Sequence, residues 1–135
     1  MKLPLFTYGT LCLPEVMQAV TGRVFATEHA RLDGYRCRLL RRRVYPGMIR
    51  APNDSTRGLL HYDVDAQLLA RIDAFEGGYY RRETVLVVRE DGSEVAAFAY
   101  VMVVSLQRLL SDRGWDEAEF RRKHLQRYLK REGYR

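Results

Sequence analysis

The position in this chain best suited to chemistry is Glu76, the last residue of an amphipathic stretch that begins near Asp65 and stops at Gly77-Gly78. At about 100° per residue, with Leu68 at zero, Ile72 lies near 40°, Leu69 near 100° and Phe75 near 340°, which sets a buried arc. Glu76 falls near 80°, among the apolar residues, whereas Gln67, Arg71 and Asp73 lie outside the arc. A carboxylate aimed inward is costly unless paired or neutralised, and a low dielectric raises its pKa toward the range useful for proton transfer. Gly77 and Gly78 end the helix and leave open the space that a side chain would fill. Two readings fit this position: a proton-transfer group, or a terminal-turn glutamate that leans into water or pairs with Arg81 or Arg82.

A second arrangement stands at the start of the chain. "LFTYGT", residues 5–10, is an apolar strand that ends in Tyr8-Gly9-Thr10, with a bare glycine and a hydroxyl at its mouth. Taken alone, it is either an ordinary strand-end turn or a place where backbone closely approaches a ligand. Other chemistries find little support. His29, His61 and His124 have no metal-ligand spacing, and the serines stand in no GxSxG setting. Cys12 and Cys37 form no CxxC pair and are expected to be thiols; Cys12 follows the Tyr8–Leu11 loop, but no histidine is placed beside it by sequence.

Charge is distributed unevenly. Residues 1–120 carry sixteen basic and sixteen acidic side chains, so the net charge of +6 lies wholly in "RRKHLQRYLKREGYR", residues 121–135. A solvated helix face accounts for this, and nucleic-acid binding is not expected; if it occurred, this basic C-terminal helix is the candidate surface. No window reaches the roughly 18 apolar residues of a membrane helix, and the first ten residues lack the pattern of a secretory signal. We read the chain as cytoplasmic, with no membrane partner.

The elements that must position these residues read as a single α+β domain over 1–135. A strand is expected at 3–8 and a short helix at 14–21, with Pro14 at its first position and Gly22 past its end. "VFATEHARLDGYRCRLL" alternates and is broken at Asp33-Gly34, which suggests two strands. The chain then looks loop-like around Pro46-Gly47 and again over Pro52–Ser55, with a short strand possible between. "GLLHYDV" reads as another strand, leading to the helix that ends at Glu76. "YYRRETVLVV" and "EVAAFAYVMVV" form a hairpin turning at Asp91-Gly92. In the C-terminal helix, Asp116 and Glu119 have capping-box spacing, Trp115 and Phe120 a hydrophobic staple, and Phe120, Leu125, Tyr128 and Leu129 an inward stripe.

The segment "DAFEGGYYRR" resembles the FEGxxYxR signature of the γ-glutamylcyclotransferase-like, or AIG2-like, family, with Phe75, Glu76, Gly77, Tyr80 and Arg82 on the motif. "LFTYGTL" resembles the family's YGTL strand-loop, followed by the proline-initiated "LPEVMQAVTGR". The likeness runs on through "YPGMIRAPNDSTRGLLHYDV" and fades after about Val104.

The resemblance implies a small, mostly antiparallel β-barrel flanked by helices, with a cavity where the YGTL loop meets the end of the glutamate-bearing helix. It also implies a reaction. The α-amine of a small γ-glutamyl substrate attacks its own γ-carbonyl, giving 5-oxoproline and a free amine, with no cofactor and no metal. Glu76 would be the catalytic base and then acid. Tyr8, Gly9, Thr10 and Leu11 would hold the α-carboxylate or the developing oxyanion through backbone N–H groups. Tyr80 and Arg82 would orient substrate, Arg82 being equally compatible with a structural role. Tyr100 falls where an aromatic residue borders the site, or is a plain core tyrosine. Arg41–Met48 and Pro52–Arg57 are candidate specificity loops. Two other functions are compatible with the same residues: removal of a γ-glutamyl group from a larger conjugate, and a non-catalytic ligand- or partner-binding module.

Overall fold

A computed structural model describes residues 2–132. Its centre is a closed five-stranded barrel with strand order β1-β3-β2-β4-β5. The strands are β1 (Leu5–Thr7), β2 (Thr27–Leu39), β3 (Pro46–His61), β4 (Tyr80–Arg89) and β5 (Glu94–Met102). All neighbours are antiparallel except β1 and β5, which close the barrel in parallel through Leu5 opposite Phe98 and Phe6 opposite Ala99. The helices are α1 (Pro14–Thr21), α2 (Ala66–Glu76), α3 (Glu117–Lys123) and α4 (Leu125–Glu132).

Strand alternation explains the two cores. Successive side chains point to opposite faces of a sheet, so Phe6 enters the barrel with Leu32, Met48, Leu60 and Val87. Leu5 points the other way and packs beneath the helices with Leu13, Val16, Ile72 and Phe120. Both Leu5 and Phe6 are fully buried, so the shortest strand of the barrel is enclosed on both faces. Ala97 and Ala99 on β5 are small enough for the narrow interior.

Local signals set several boundaries where they were expected. Pro14 opens α1 and Gly22 caps it in the left-handed region at φ 84°. Asp65 caps α2 by accepting from the Leu68 N–H at 2.9 Å. β4 and β5 pair from Tyr80 opposite Met102 to Val88 opposite Glu94, on either side of the Asp91-Gly92 turn.

Three expectations are corrected. The break at Asp33-Gly34 does not separate two strands: β2 continues through it with a bulge. The strand beside it decides this, because β3 pairs with β2 on both sides, Leu32 opposite Thr56 and Tyr35 opposite Arg50. The Pro46–Ser55 region is likewise strand from Pro46 onward and is continuous with "GLLHYDV" as far as His61. Residues 51–54 have no partner across from β2, so Pro52 lies where a missing N–H costs no ladder bond. An ion pair of Arg36 with Asp54 at 2.6 Å and the Thr56 hydroxyl donating to the Tyr35 carbonyl at 3.0 Å fix this excursion. Finally, the C-terminal helix is two helices, interrupted at His124 (φ −126°, ψ −20°). Asp116 does cap α3, accepting from the Glu119 N–H at 3.1 Å, and the Trp115 and Phe120 rings meet at 5.7 Å.

Part of the basic surface of α3 is met internally, Arg121 pairing with Glu15 at 2.5 Å and Lys123 with Glu119 at 3.5 Å. Among the described residues no helix is long and apolar enough to cross a membrane.

Candidate active site

Two chain segments converge at one end of the barrel. The first leaves β1 at Thr7 and tightens into a 3-10 turn over Thr10–Cys12, closed by the Cys12 N–H donating to the Gly9 carbonyl at 2.9 Å. The leading N–H groups of such a turn have no acceptor within it. Gly9 sits against the Pro46 ring, where an added Cβ would lie 2.9 Å from the Pro46 Cγ. The protein's own proline therefore already bars a side chain here, whether or not a ligand also approaches. The second segment is the end of α2. Gly77 caps it at φ 71°, its N–H returning to the Asp73 carbonyl, and an added Cβ at Gly77 or Gly78 would meet open space.

Between these segments lies a cavity of about 270 Å³. The loop contributes Tyr8, Gly9, Thr10 and Leu11, and the end of α2 contributes Phe75 and Glu76. The Glu76 carboxyl has no hydrogen-bond or ion-pair partner among the described residues. Burial, with a smaller push from the Asp73 charge, raises its pKa from 4.5 to about 8. The side chain as a whole is half-buried because it faces the hollow, while protein surrounds it on the other sides. Pairing with Arg81 or Arg82, an alternative left open by the sequence, does not occur. Arg82 instead forms a two-pronged bond to Asp73, at 2.9 and 3.2 Å.

The sequence model of the family described as gamma-glutamyl cyclotransferase, AIG2-like, matches residues 5–117, which span the loop, the cavity-bearing helix and the whole barrel. The chain belongs to this family. It is 29% identical over 124 residues to AIG2-like protein A of Arabidopsis thaliana, covering 92% of this chain and 75% of that protein. Against Protein AIG2 C of Arabidopsis thaliana it is 32% identical over 126 residues, with coverage of 92% and 75%. A solution structure from Arabidopsis thaliana superposes with a TM-score of 0.73 at 28% identity, covering 95% of this chain and 78% of that one. A structure named gamma-glutamyl cyclotransferase gives a TM-score of 0.59 at 17% identity, covering 75% and 66%, a likeness of fold.

Within the AIG2-like fold, most residues singled out from the sequence meet in one place. Tyr8, Gly9, Thr10, Leu11, Glu76, Tyr80 and Tyr100 all line the cavity. Arg82 is not part of the lining; besides Asp73 it covers the Phe98 ring, 4.5 Å from its centroid. Several hydroxyls in the lining already have partners. Tyr8 donates to the Tyr100 carbonyl at 2.6 Å, Tyr80 to the Pro46 carbonyl at 2.6 Å, and Tyr100 to Asp73 at 2.5 Å. Burial first of all raises the pKa of all three phenols, so they remain protonated.

Sequence reasoning missed Tyr45, Tyr79 and Tyr128 as cavity residues. Tyr45 stood in a candidate specificity loop and Tyr128 in the inward stripe of the C-terminal helix, so each carried a signal without a destination. Tyr128 now closes the cavity from α4, its hydroxyl 3.2 Å from that of Thr10.

Cys12 and Cys37 are thiols, each pushed up to about 12 chiefly by burial. His61 is buried with Nε2 at 2.8 Å from the Thr7 hydroxyl, and burial lowers its pKa to about 4. No grouping of three or more His, Cys, Asp or Glu able to hold a metal ion occurs among the described residues.

Proposed function

We propose that this chain is a γ-glutamylcyclotransferase that converts a small γ-glutamyl amide to 5-oxoproline and a free amine. The observation that carries the proposal is the unpartnered Glu76 carboxyl, facing a cavity rimmed by the Tyr8–Leu11 loop. A half-buried carboxyl that takes no protein partner is costly in its charged form, and a site that moves protons gives it a use.

In the proposed reaction the α-amine nitrogen bonds to the γ-carbonyl carbon, closing a five-membered ring. Glu76 takes the proton lost by the attacking nitrogen. The tetrahedral intermediate then collapses, the bond from carbon to the leaving nitrogen breaks, and Glu76 returns the proton to that nitrogen. One carboxyl can serve both transfers because its pKa, near 8, lies close to ambient pH. The N–H groups of the Gly9–Leu11 turn supply fixed donors for the substrate's anionic oxygens. Tyr80 and Tyr100 shape the cavity through their rings. Arg82 acts through Asp73 as a positioning residue: it holds the second charge that raises the Glu76 pKa. Folding the substrate into a reactive pose before chemistry contributes much of the acceleration.

The test is turnover of a panel of γ-glutamyl compounds, with 5-oxoproline followed by mass spectrometry. Glu76→Gln should abolish product while circular dichroism shows an intact fold. Silence of the wild-type protein across the panel would instead leave a binding module of this fold.

A further inference from the structure

We infer that the cavity selects γ-glutamyl amides whose leaving group is an aromatic amine without a carboxylate, an arylalkylamine; this rests on the cyclotransferase reading above. Five rings lie in sequence along the lining: Tyr80, Tyr79, Tyr45, Tyr128 and Phe75. Their successive centroids are 6.3, 6.4, 6.4 and 6.4 Å apart, with planes inclined at 36°, 59°, 60° and 85°. These are the separations and tilts at which aromatic rings attract one another, and another ring placed against the arc meets both edges and faces.

Hydroxyl groups in the arc are largely engaged with protein. Tyr80 donates to the Pro46 carbonyl, and Tyr79 accepts from Arg43 at 2.5 Å. What these two residues offer a ligand is ring surface.

Charge points the same way. Glu76 is the only carboxylate, ammonium, guanidinium or imidazole side chain in the described lining. The cation that touches the arc, Arg43, lies outside the lining and is committed to the Tyr79 hydroxyl and the Arg41 carbonyl. An amino acid as leaving group would bring its own carboxylate into a space whose described lining offers no cationic side chain to meet it, which is costly in a low dielectric. A cavity of about 270 Å³ is also at the small end of ligand pockets, which suits a glutamyl group and one ring better than a peptide or large conjugate.

The experiment compares kcat/KM for γ-glutamylphenethylamide, γ-glutamylalanine and the γ-glutamyl isopeptide of lysine. At least a tenfold preference for the phenethylamide is expected, and Tyr79→Ala should lower that ratio fivefold or more. Tyr79→Leu repeats the measurement if the alanine variant does not fold. As a readout without turnover, Glu76→Gln should bind the phenethylamide at least tenfold more tightly than γ-glutamylalanine in calorimetry. Equal or better use of either amino-acid substrate overturns the inference and leaves the cyclotransferase standing. A preference that survives both Tyr79 variants overturns the assignment to the ring arc. No 5-oxoproline from any substrate overturns the cyclotransferase itself, and the inference with it.

Discussion

Two hollows among the described residues differ in kind, and the larger is the less reactive in make-up. A groove of about 630 Å³ is bordered by Cys12, His29, Arg31, Arg57 and Arg89, more than twice the volume of the cavity at Glu76. Two of its three arginines are paired with carboxylates. Arg31 pairs with Asp33 at 2.7 Å and Arg89 with Glu28 at 3.1 Å, and both arginines are substantially exposed. Its thiol is held protonated by burial. The smaller cavity contains a carboxyl without a partner among the described residues and with a pKa displaced to about 8. Size alone does not mark a reactive site; an electrostatic cost left unrelieved by the fold is the better guide.

Substitutions can break this contrast. The largest effect is expected from Glu76→Gln, with a loss of turnover of about a thousandfold or more, since a single group carries both proton transfers. Arg31→Ala in the groove should change turnover less than twofold. For the wild-type protein, base function requires the carboxylate, so kcat/KM should rise with pH toward a midpoint near 8. A flat profile between pH 6 and 9 would show that Glu76 is not the base.

Stability supplies the second test. The folded pKa of Glu76 is raised above its ordinary value of 4.5, so the folded state holds a proton that the unfolded state releases. The resulting stabilisation is fully present below pH 4.5 and is lost as pH rises through about 8. Glu76→Gln removes this slope. Relative to wild type the variant should gain about 2 kcal/mol between pH 4.5 and 9, a figure well below the full shift because the carboxyl faces a hollow that can hold water. Urea titrations at the two pH values check it.

Smaller effects sharpen the comparison. Asp73→Asn removes the secondary cause of the raised pKa, so the kinetic midpoint should move below about 8 while burial still holds it above the ordinary carboxylate range. Smallest of all, Cys12→Ser should leave kcat/KM within twofold, and iodoacetamide should label Cys12 slowly at pH 8, because the thiolate is scarce.

How much of this was legible in the sequence depended on whether the deciding interaction was local. Pro14 and Gly22 bound α1, Asp65 caps α2 and Asp91-Gly92 turns the β4–β5 hairpin, each through neighbours within a few residues. Asp33-Gly34 carries the same kind of turn signal, yet becomes a bulge because β3 pairs on both sides of it. The inward aim of Glu76 followed from helical period. That the glutamate takes no partner did not, because Arg82 could have reached it and takes Asp73 instead. Tyr128 was readable as an inward-facing residue and Tyr45 only as part of a candidate specificity loop; their meeting over the cavity depends on the break at His124 and on the loop before β3, which no local pattern announces.

Closure of the barrel through three residues has a kinetic consequence. Leu5 and Phe6 cannot pair with Phe98 and Ala99 until β5 has left the ribosome, and contacts so distant in sequence form late. A nascent chain that ends before β5 already possesses Glu76 and the Gly9 turn, but has no vessel in which to hold them opposite each other. The proposed activity would thus depend on this seam, and a lesion that loosens the join between the first and last strands should lower it without touching the residues that line the cavity.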